Sequence, residues 1–180
     1  MLLAAAAGAY FFAGRGAPPP DSLSQDAFAA AEGSSSPPVS ITSTTPVPEG
    51  TKEYKSAAYG FALYYPDGLT VAEHPLAGSS TVVLFQSEAA QQGFEIFVTP
   101  YAEPAITQAR FLMDEPSGVM NDPQNITIDG AAATEFFSTN PAMGASREIW
   151  FLHGGYLFEV TAPASLDAWL LQIMGTWRFM

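Results

Sequence analysis

The sequence predicts an α+β domain in which a mainly antiparallel sheet is flanked by helices. Two short runs of turn residues join consecutive apolar segments, as in hairpins, and a hairpin makes its two strands antiparallel. Several predicted strands, such as residues 82–85 and 149–152, are apolar on both faces instead of alternating. Strands of this kind are typical of a sheet that is covered on both sides. The order of elements is four strands, a helix, four strands and a helix.

The first half of the folded region is predicted to contain four strands and one short helix. The first strand ends at Pro66-Asp67-Gly68, three residue types that favour a turn. The helix consists of good helix formers and ends before Pro116, which cannot continue it. The predicted strands cover residues 59–65, 69–73, 80–87 and 94–100, and the helix covers residues 107–114.

The second half is predicted to begin with two hairpins. Asp129-Gly130 is a strong two-residue turn signal, and His153-Gly154-Gly155 is expected to form the tip of the second hairpin. The predicted strands cover residues 125–128 and 131–139 in the first hairpin, and residues 147–152 and 156–161 in the second.

A closing helix over residues 165–174 is predicted because its apolar side chains fall on a single stripe. Ser165 is expected to cap the helix, and Asp167 suits the positive end of the helix dipole. Gly175 ends the helix, and residues 176–179 are predicted to add a final strand. The stripe consists of Leu166, Trp169, Leu170, Ile173, Met174 and Trp177.

The chain divides into three parts, of which the last is predicted to be a globular domain. Residues 1–16 are predicted to be a membrane anchor or signal segment. Their uncharged apolar run fits the end of an anchor that starts upstream of Met1, the core of a signal peptide, or a buried helix. Residues 17–52 are rich in Pro, Ser and Thr and are predicted to be a disordered linker. Residues 53–180 form the predicted domain.

The charge balance excludes several classes of function. The 180 residues include 6 basic and 18 acidic side chains, for a net charge of −12, and residues 53–180 carry most of the acidic ones. A surface that binds nucleic acid must be basic to neutralise phosphates, so nucleic acid is not an expected partner. The sequence contains no cysteine, which excludes disulfides, thiolate metal sites and cysteine nucleophiles.

The aromatic strand openers and turn residues together resemble a known family. Residues 54–66 begin with Tyr54, continue with Tyr59-Gly60-Phe61 and end on Tyr65-Pro66, and the chain closes on Thr176-Trp177-Arg178-Phe179 after its last helix. With the hairpins around residues 125–133 and 156–161, this pattern resembles the PsbP-like α/β/α sandwich family, and the tether is most similar to its small exported bacterial members. The resemblance implies a binding or assembly role and not catalysis. It carries no ligand or metal residue onto this sequence.

The residues that could carry chemistry are few, and no catalytic, cofactor-binding or metal residue is assigned from them. Glutamates on predicted strands could approach one another on one sheet face and, with a histidine, act as an acid and base or as metal ligands. On an acidic protein such carboxylates more often form a solvated face, here partly offset by Arg147. The candidate site consists of Glu95, Glu148, Glu159, Arg147 and His153.

The sequence therefore favours a membrane-tethered extracytoplasmic domain that binds or assembles with a protein or small ligand at the membrane surface, without catalytic activity and with no cofactor. A secreted protein is the alternative to the anchored one. A carboxylate- and histidine-based enzyme, or a metal-dependent ligand-binding protein, is the alternative function. A pilin-like subunit is disfavoured, because Pro18-Pro19-Pro20 would interrupt the long N-terminal helix that it needs.

Overall fold

The computed structural model of the chain describes residues 39–41, 49–140 and 144–180. The predicted anchor or signal segment, residues 1–16, lies outside the described residues, as does most of the predicted linker. Among the described residues, no helix is both long enough and apolar enough to cross a membrane.

Eight strands form the main sheet, in the order β1-β7-β8-β9-β10-β6-β5-β4. Each neighbouring pair is antiparallel except β1 and β7, which run parallel. These strands are β1 (Val39–Ile41), β4 (Thr70–Pro75), β5 (Thr81–Ser87), β6 (Gln92–Pro100), β7 (Asn121–Ile128), β8 (Ala131–Asn140), β9 (Gly144–His153) and β10 (Tyr156–Pro163).

A second, three-stranded sheet has the order β11-β3-β2 and is also antiparallel. It consists of β2 (Thr51–Ser56), β3 (Phe61–Pro66) and β11 (Arg178–Phe179). The sequence does not predict a strand over residues 51–56 or a second sheet. The strand β1 falls within residues 17–52, and its three residues pair with Ile126–Ile128 at the edge of the main sheet.

Both predicted hairpins are present, and their turns explain why these residues occur there. Asp129 and Gly130 have φ values of 43° and 86°, and Gly154 and Gly155 have φ values of 60° and 82°. Two consecutive residues with positive φ give a turn whose twist matches that of the flanking strands. Glycine, or an aspartate in the first position, adopts this backbone at little cost.

The two helices are short, so the protein is dominated by its sheets. Helix α1 (Gln108–Asp114) begins at Thr107, whose side chain accepts a hydrogen bond from the Arg110 backbone N–H at 3.2 Å. Helix α2 (Asp167–Met174) follows a 3₁₀ turn at Ala164–Leu166. The expected cap at Ser165 is wrong, because Ser165 lies inside this turn and Leu166 precedes the helix without a capping side chain. The mainly antiparallel sheet is confirmed, but the flanking helical layers are thinner than predicted.

The hydrophobic core lies between one face of the main sheet, the three-stranded sheet and α2. We call this side of the main sheet its core face, and it carries residues such as Ile96, Ile149 and Phe158. Trp177 stacks on Phe61 with ring centroids 4.3 Å apart and planes within 4° of each other. The predicted stripe on the closing helix packs here, with Leu170, Ile173 and Met174 fully or nearly fully buried. Phe111 of α1 instead packs on the opposite face of the main sheet.

Replacing Trp177 by alanine should lower the free energy of unfolding by about 3–5 kcal/mol, because it removes a buried ring that joins both sheets. Urea denaturation of the full chain measures this change. Met113→Ala is the matched control, since Met113 is 58% exposed and its truncation should change the unfolding free energy by less than about 0.5 kcal/mol. A loss at Trp177 no larger than that at Met113 would contradict this account of the core.

Candidate functional site

Three of the five candidate residues lie together on the face of the main sheet that is opposite the core face. Thr161 of β10 pairs with Glu95 of β6 on one side and with Glu148 of β9 on the other. Glu159 is two residues before Thr161 in the same strand and therefore points to the same side. We call this side, defined by Glu95, Glu148 and Glu159, the carboxylate face.

The carboxylate face is buried, so the interpretation of these glutamates as a solvated face is wrong. Glu95, Glu148 and Glu159 are 4%, 3% and 1% exposed. The reason is the connection between β6 and β7, residues 101–120, which lies over this face and contains α1. We call this connection the cover.

An aromatic contact anchors the cover to the sheet. Phe111 of α1 is 2% exposed and packs against Phe136 of β8 and Trp150 of β9, with ring centroids 5.8 and 5.5 Å apart. Ile106, Leu112 and Met120, all from the cover, pack around this cluster. Such tilted and edge-on aromatic pairs stabilise a contact beyond the area that they bury.

Glu148 is the carboxylate whose surroundings the structure defines most fully. Its Oε2 accepts hydrogen bonds from Thr161 Oγ1 at 2.7 Å and from the Trp150 indole N–H at 3.2 Å. Burial raises the pKa of Glu148 to about 7, because the charged form loses its hydration, while these hydrogen bonds act in the opposite direction. The nearby negative charge of Glu115, in the cover, raises the pKa further.

Arg110 links the cover to the carboxylate face. Its Nη2 lies 3.6 Å from Glu159 Oε1, and its Nε pairs with Asp114 one helical turn further on. Arg110 therefore connects a carboxylate of the sheet with a carboxylate of its own helix. Glu115 is 6% exposed and accepts a hydrogen bond from Ser117 Oγ at 2.6 Å.

Arg147 does not belong to this group of residues, and the prediction that placed it with the carboxylates is not supported by the geometry. It lies on the core face, where it pairs with Glu135 at 2.5 Å and with Asp167 at 2.9 Å. Its guanidinium also lies 4.5 Å from the centre of the Phe137 ring. Arg147 therefore joins β8 and β9 to the start of α2.

His153 is also separate from the carboxylates. It lies at the exposed end of β9 on the core-face side, and its ring stacks on Phe179 of β11 with centroids 3.5 Å apart. Within residues 39–41, 49–140 and 144–180, no three His, Cys, Asp or Glu side chains converge in a way that could hold a metal ion.

Sequence reasoning missed the residues of the cover that complete the layer. The spacing of Arg110 and Asp114, four residues apart in a predicted helix, was a usable signal for an ion pair. It could not show that this helix crosses the carboxylate face, because the connection between β6 and β7 could lie on either side of the sheet.

No protein-family model and no curated protein matches this sequence. Among solved structures, the chain is similar to the solution structure of cyanobacterial PsbP (CyanoP) from Synechocystis sp. PCC 6803. The match has a TM-score of 0.53 at 10% sequence identity and covers 76% of this chain and 95% of that chain. The protein has a PsbP-like fold. At 10% sequence identity this similarity concerns the fold alone. It confirms the fold that the sequence resemblance implied.

Replacing Glu148 by glutamine should stabilise the protein at pH 8 and leave its stability nearly unchanged near pH 4. The pKa of Glu148 rises from 4.5 to about 7 on folding, so its stabilising contribution is complete below pH 4.5 and is lost as the pH rises to 7. Glutamine keeps the shape and does not ionise, so it should gain about 3 kcal/mol over the parent chain at pH 8. Urea denaturation at a series of pH values measures the difference.

Glu88→Gln is the matched control, because Glu88 is exposed in the turn between β5 and β6. Its removal should leave the pH dependence of stability as in the parent chain. If Glu148→Gln were as pH-dependent as the parent, the shifted ionisation assigned to Glu148 would be wrong.

Proposed function

We propose that this chain is a non-catalytic binding or assembly domain, held at the extracytoplasmic face of a membrane by its N-terminal segment. The observation that carries the non-catalytic part is the burial of the carboxylate face beneath the cover. An enzyme that used Glu95, Glu148 or Glu159 as acid, base or nucleophile would need them within reach of a substrate. With the cover seated, each of these side chains is at least 95% buried.

The arrangement of the other candidate residues also favours binding over catalysis. A carboxylate and histidine mechanism needs His153 beside the carboxylates, but His153 lies at the end of β9 and stacks on Phe179. Arg147 holds α2 against the sheet through Asp167. The PsbP-like fold supports the same proposal, since the sequence resemblance to that family implies binding or assembly.

The tether is supported by the sequence. Residues 1–16 are apolar with a single arginine, and residues 17–52 contain many prolines, serines and threonines. An anchor followed by an extended linker confines a domain near the membrane surface and raises its effective concentration for partners there.

The location can be tested with the full chain carrying a C-terminal epitope, expressed in a bacterium. The epitope should sediment with membranes and be digested when protease is added to intact spheroplasts. A variant without residues 1–16 should leave the membrane fraction, whereas a deletion of equal length within residues 17–48 should leave location unchanged. Protection of the epitope in intact spheroplasts would contradict the extracytoplasmic placement.

The binding role is tested in the same membranes after mild solubilisation and chemical cross-linking. The chain should migrate in a complex well above its own 19.1 kDa, together with one or a few reproducible partners. Glu95→Gln and Glu159→Gln variants that remain folded should keep this complex, because the proposal gives these carboxylates no reactive role. Migration as a free monomer under all conditions would contradict it.

A further inference from the structure

One edge of the main sheet is completed by a segment of the predicted linker. Strand β7 pairs with β8 on one side, and on its other side Ile126–Ile128 pair in parallel with Val39–Ile41 of β1. An unpaired strand edge presents a row of N–H and C=O groups, which makes it a template for pairing with a further strand. The edge of β7 is therefore an acceptor for an extended segment, and the chain itself carries a segment that fits.

The part of β7 that accepts this segment is its apolar part. Ile126 and Ile128 are 5% and 0% exposed and belong to the hydrophobic core, whereas residues 121–125 are all exposed. β1 covers three of the eight residues of β7, and these three include both core isoleucines. Leaving this stretch of the edge unpaired is unfavourable, because its backbone groups lie beside the core.

The segment is joined to the rest of the domain by a short connection. β1 lies at one edge of the main sheet, whereas β2 packs near the other edge, where the Tyr54 hydroxyl donates to Glu73 of β4 at 2.8 Å. A flat sheet of eight strands is about 34 Å across. The nine residues 42–50 between β1 and β2 span at most about 36 Å. A connection with so little slack favours exchange of the strand between neighbouring copies.

Every copy of the chain carries both the strand and the edge that accepts it. The pairing of β1 with β7 is the same whether the strand comes from the same copy or from a neighbouring one, so exchange loses no hydrogen bonds between them. Two copies that exchange the strand reciprocally fill both edges and form a closed dimer with two-fold symmetry. Confinement by the proposed anchor raises the local concentration of copies, which favours pairing between them.

We propose that the edge of β7 is a self-assembly surface, and that its occupant in the assembled protein is the strand Val39–Ile41 of a second copy. Pairing of β1 within one copy is then the unassembled form. The inference rests on the proposed assembly role and specifies that the partner is the chain itself. It leaves the carboxylate face buried, since the carboxylates that define this face lie on β6, β9 and β10 and not on the edge strand.

The experiment uses single cysteines in the full chain, which has none of its own. Ser40 and Thr127 are register partners across β1 and β7, so a disulfide between Ser40→Cys and Thr127→Cys reports a strand that is seated on the edge. One chain carries Ser40→Cys and one epitope, and a second chain carries Thr127→Cys and a different epitope. The two chains are co-expressed in the same membranes, which are then oxidised under native conditions.

Thr134→Cys is the matched control. Thr134 is also a half-buried threonine on the same face of the sheet, but it lies in β8, which is paired on both sides. A disulfide-linked pair that carries both epitopes, with a mass near twice 19.1 kDa, should form with Thr127→Cys. Its rate of formation should be at least about ten-fold higher than with Thr134→Cys.

A longer connection tests the reason for exchange. Inserting about ten glycine and serine residues after Pro48 adds slack, so β1 reaches the edge of its own copy more readily. The amount of the linked pair should therefore fall, while the disulfide within single chains of a Ser40→Cys/Thr127→Cys double variant should rise. An amount of linked pair that does not change with the insertion would overturn the proposed exchange.

Three further results would overturn the proposal. The first is a disulfide that forms within single chains of the double variant while the two singly substituted chains give no linked pair, because the strand would then fill only its own edge. The second is equal linkage to Thr127→Cys and Thr134→Cys, which would reflect random collision. The third is the absence of any disulfide, within chains or between them.

A second measurement covers the case in which Thr127→Cys does not fold. The mass of the parent chain in mild detergent then decides, since a dimer that the longer connection dissociates supports the proposal and a monomer in both chains overturns it. Membrane sedimentation and cross-linking to other proteins are separate readouts. The proposed function and the exchange of β1 can therefore fail independently.

Discussion

The main sheet is covered on both faces, and this constraint governs the rest of the structure. Strands β6, β9 and β10 have no solvated side in their central part, so every polar side chain there must find its partners inside the protein. On the core face the demand is small, because the side chains are mostly apolar and aromatic. On the carboxylate face many polar atoms need hydrogen-bond partners. The hydrogen bonds that Thr161 and Trp150 donate to Glu148 supply two of them.

The cover and the carboxylates depend on each other. Phe111 needs the apolar surface of Phe136 and Trp150, and covering these rings also covers the glutamates that alternate with them across the strands. Arg110 of the cover pairs with Glu159 of the sheet and so links the two charged sides of this contact. The apolar contact of Phe111 thus keeps the cover closed over an acidic layer. The stability of this region is therefore sensitive to protonation.

The sequence was sufficient for those features that are encoded locally. The turn at Asp129-Gly130 and the stripe around Leu170 depend on neighbouring residues, and both are present. The strand β2 was missed because its mostly polar side chains resemble the linker before it, and only pairing with β3 makes it a strand. Burial of Glu148 depends on where a distant connection lies. The separation of Arg147 from Glu148 was predictable, since adjacent residues in a strand point to opposite faces.

The most direct test of the account is the titration of Glu148 itself. Carbon-13 labelling of the glutamate side chains allows the carboxyl shift of each residue to be followed by NMR from pH 3 to pH 9, with assignment by Glu148→Gln. The account predicts that Glu148 titrates near pH 7, well above the ordinary value of 4.5 for a glutamate. A Glu148 carboxyl that titrates near pH 4.5 would show that the carboxylate face is solvated, and it would contradict the central claim.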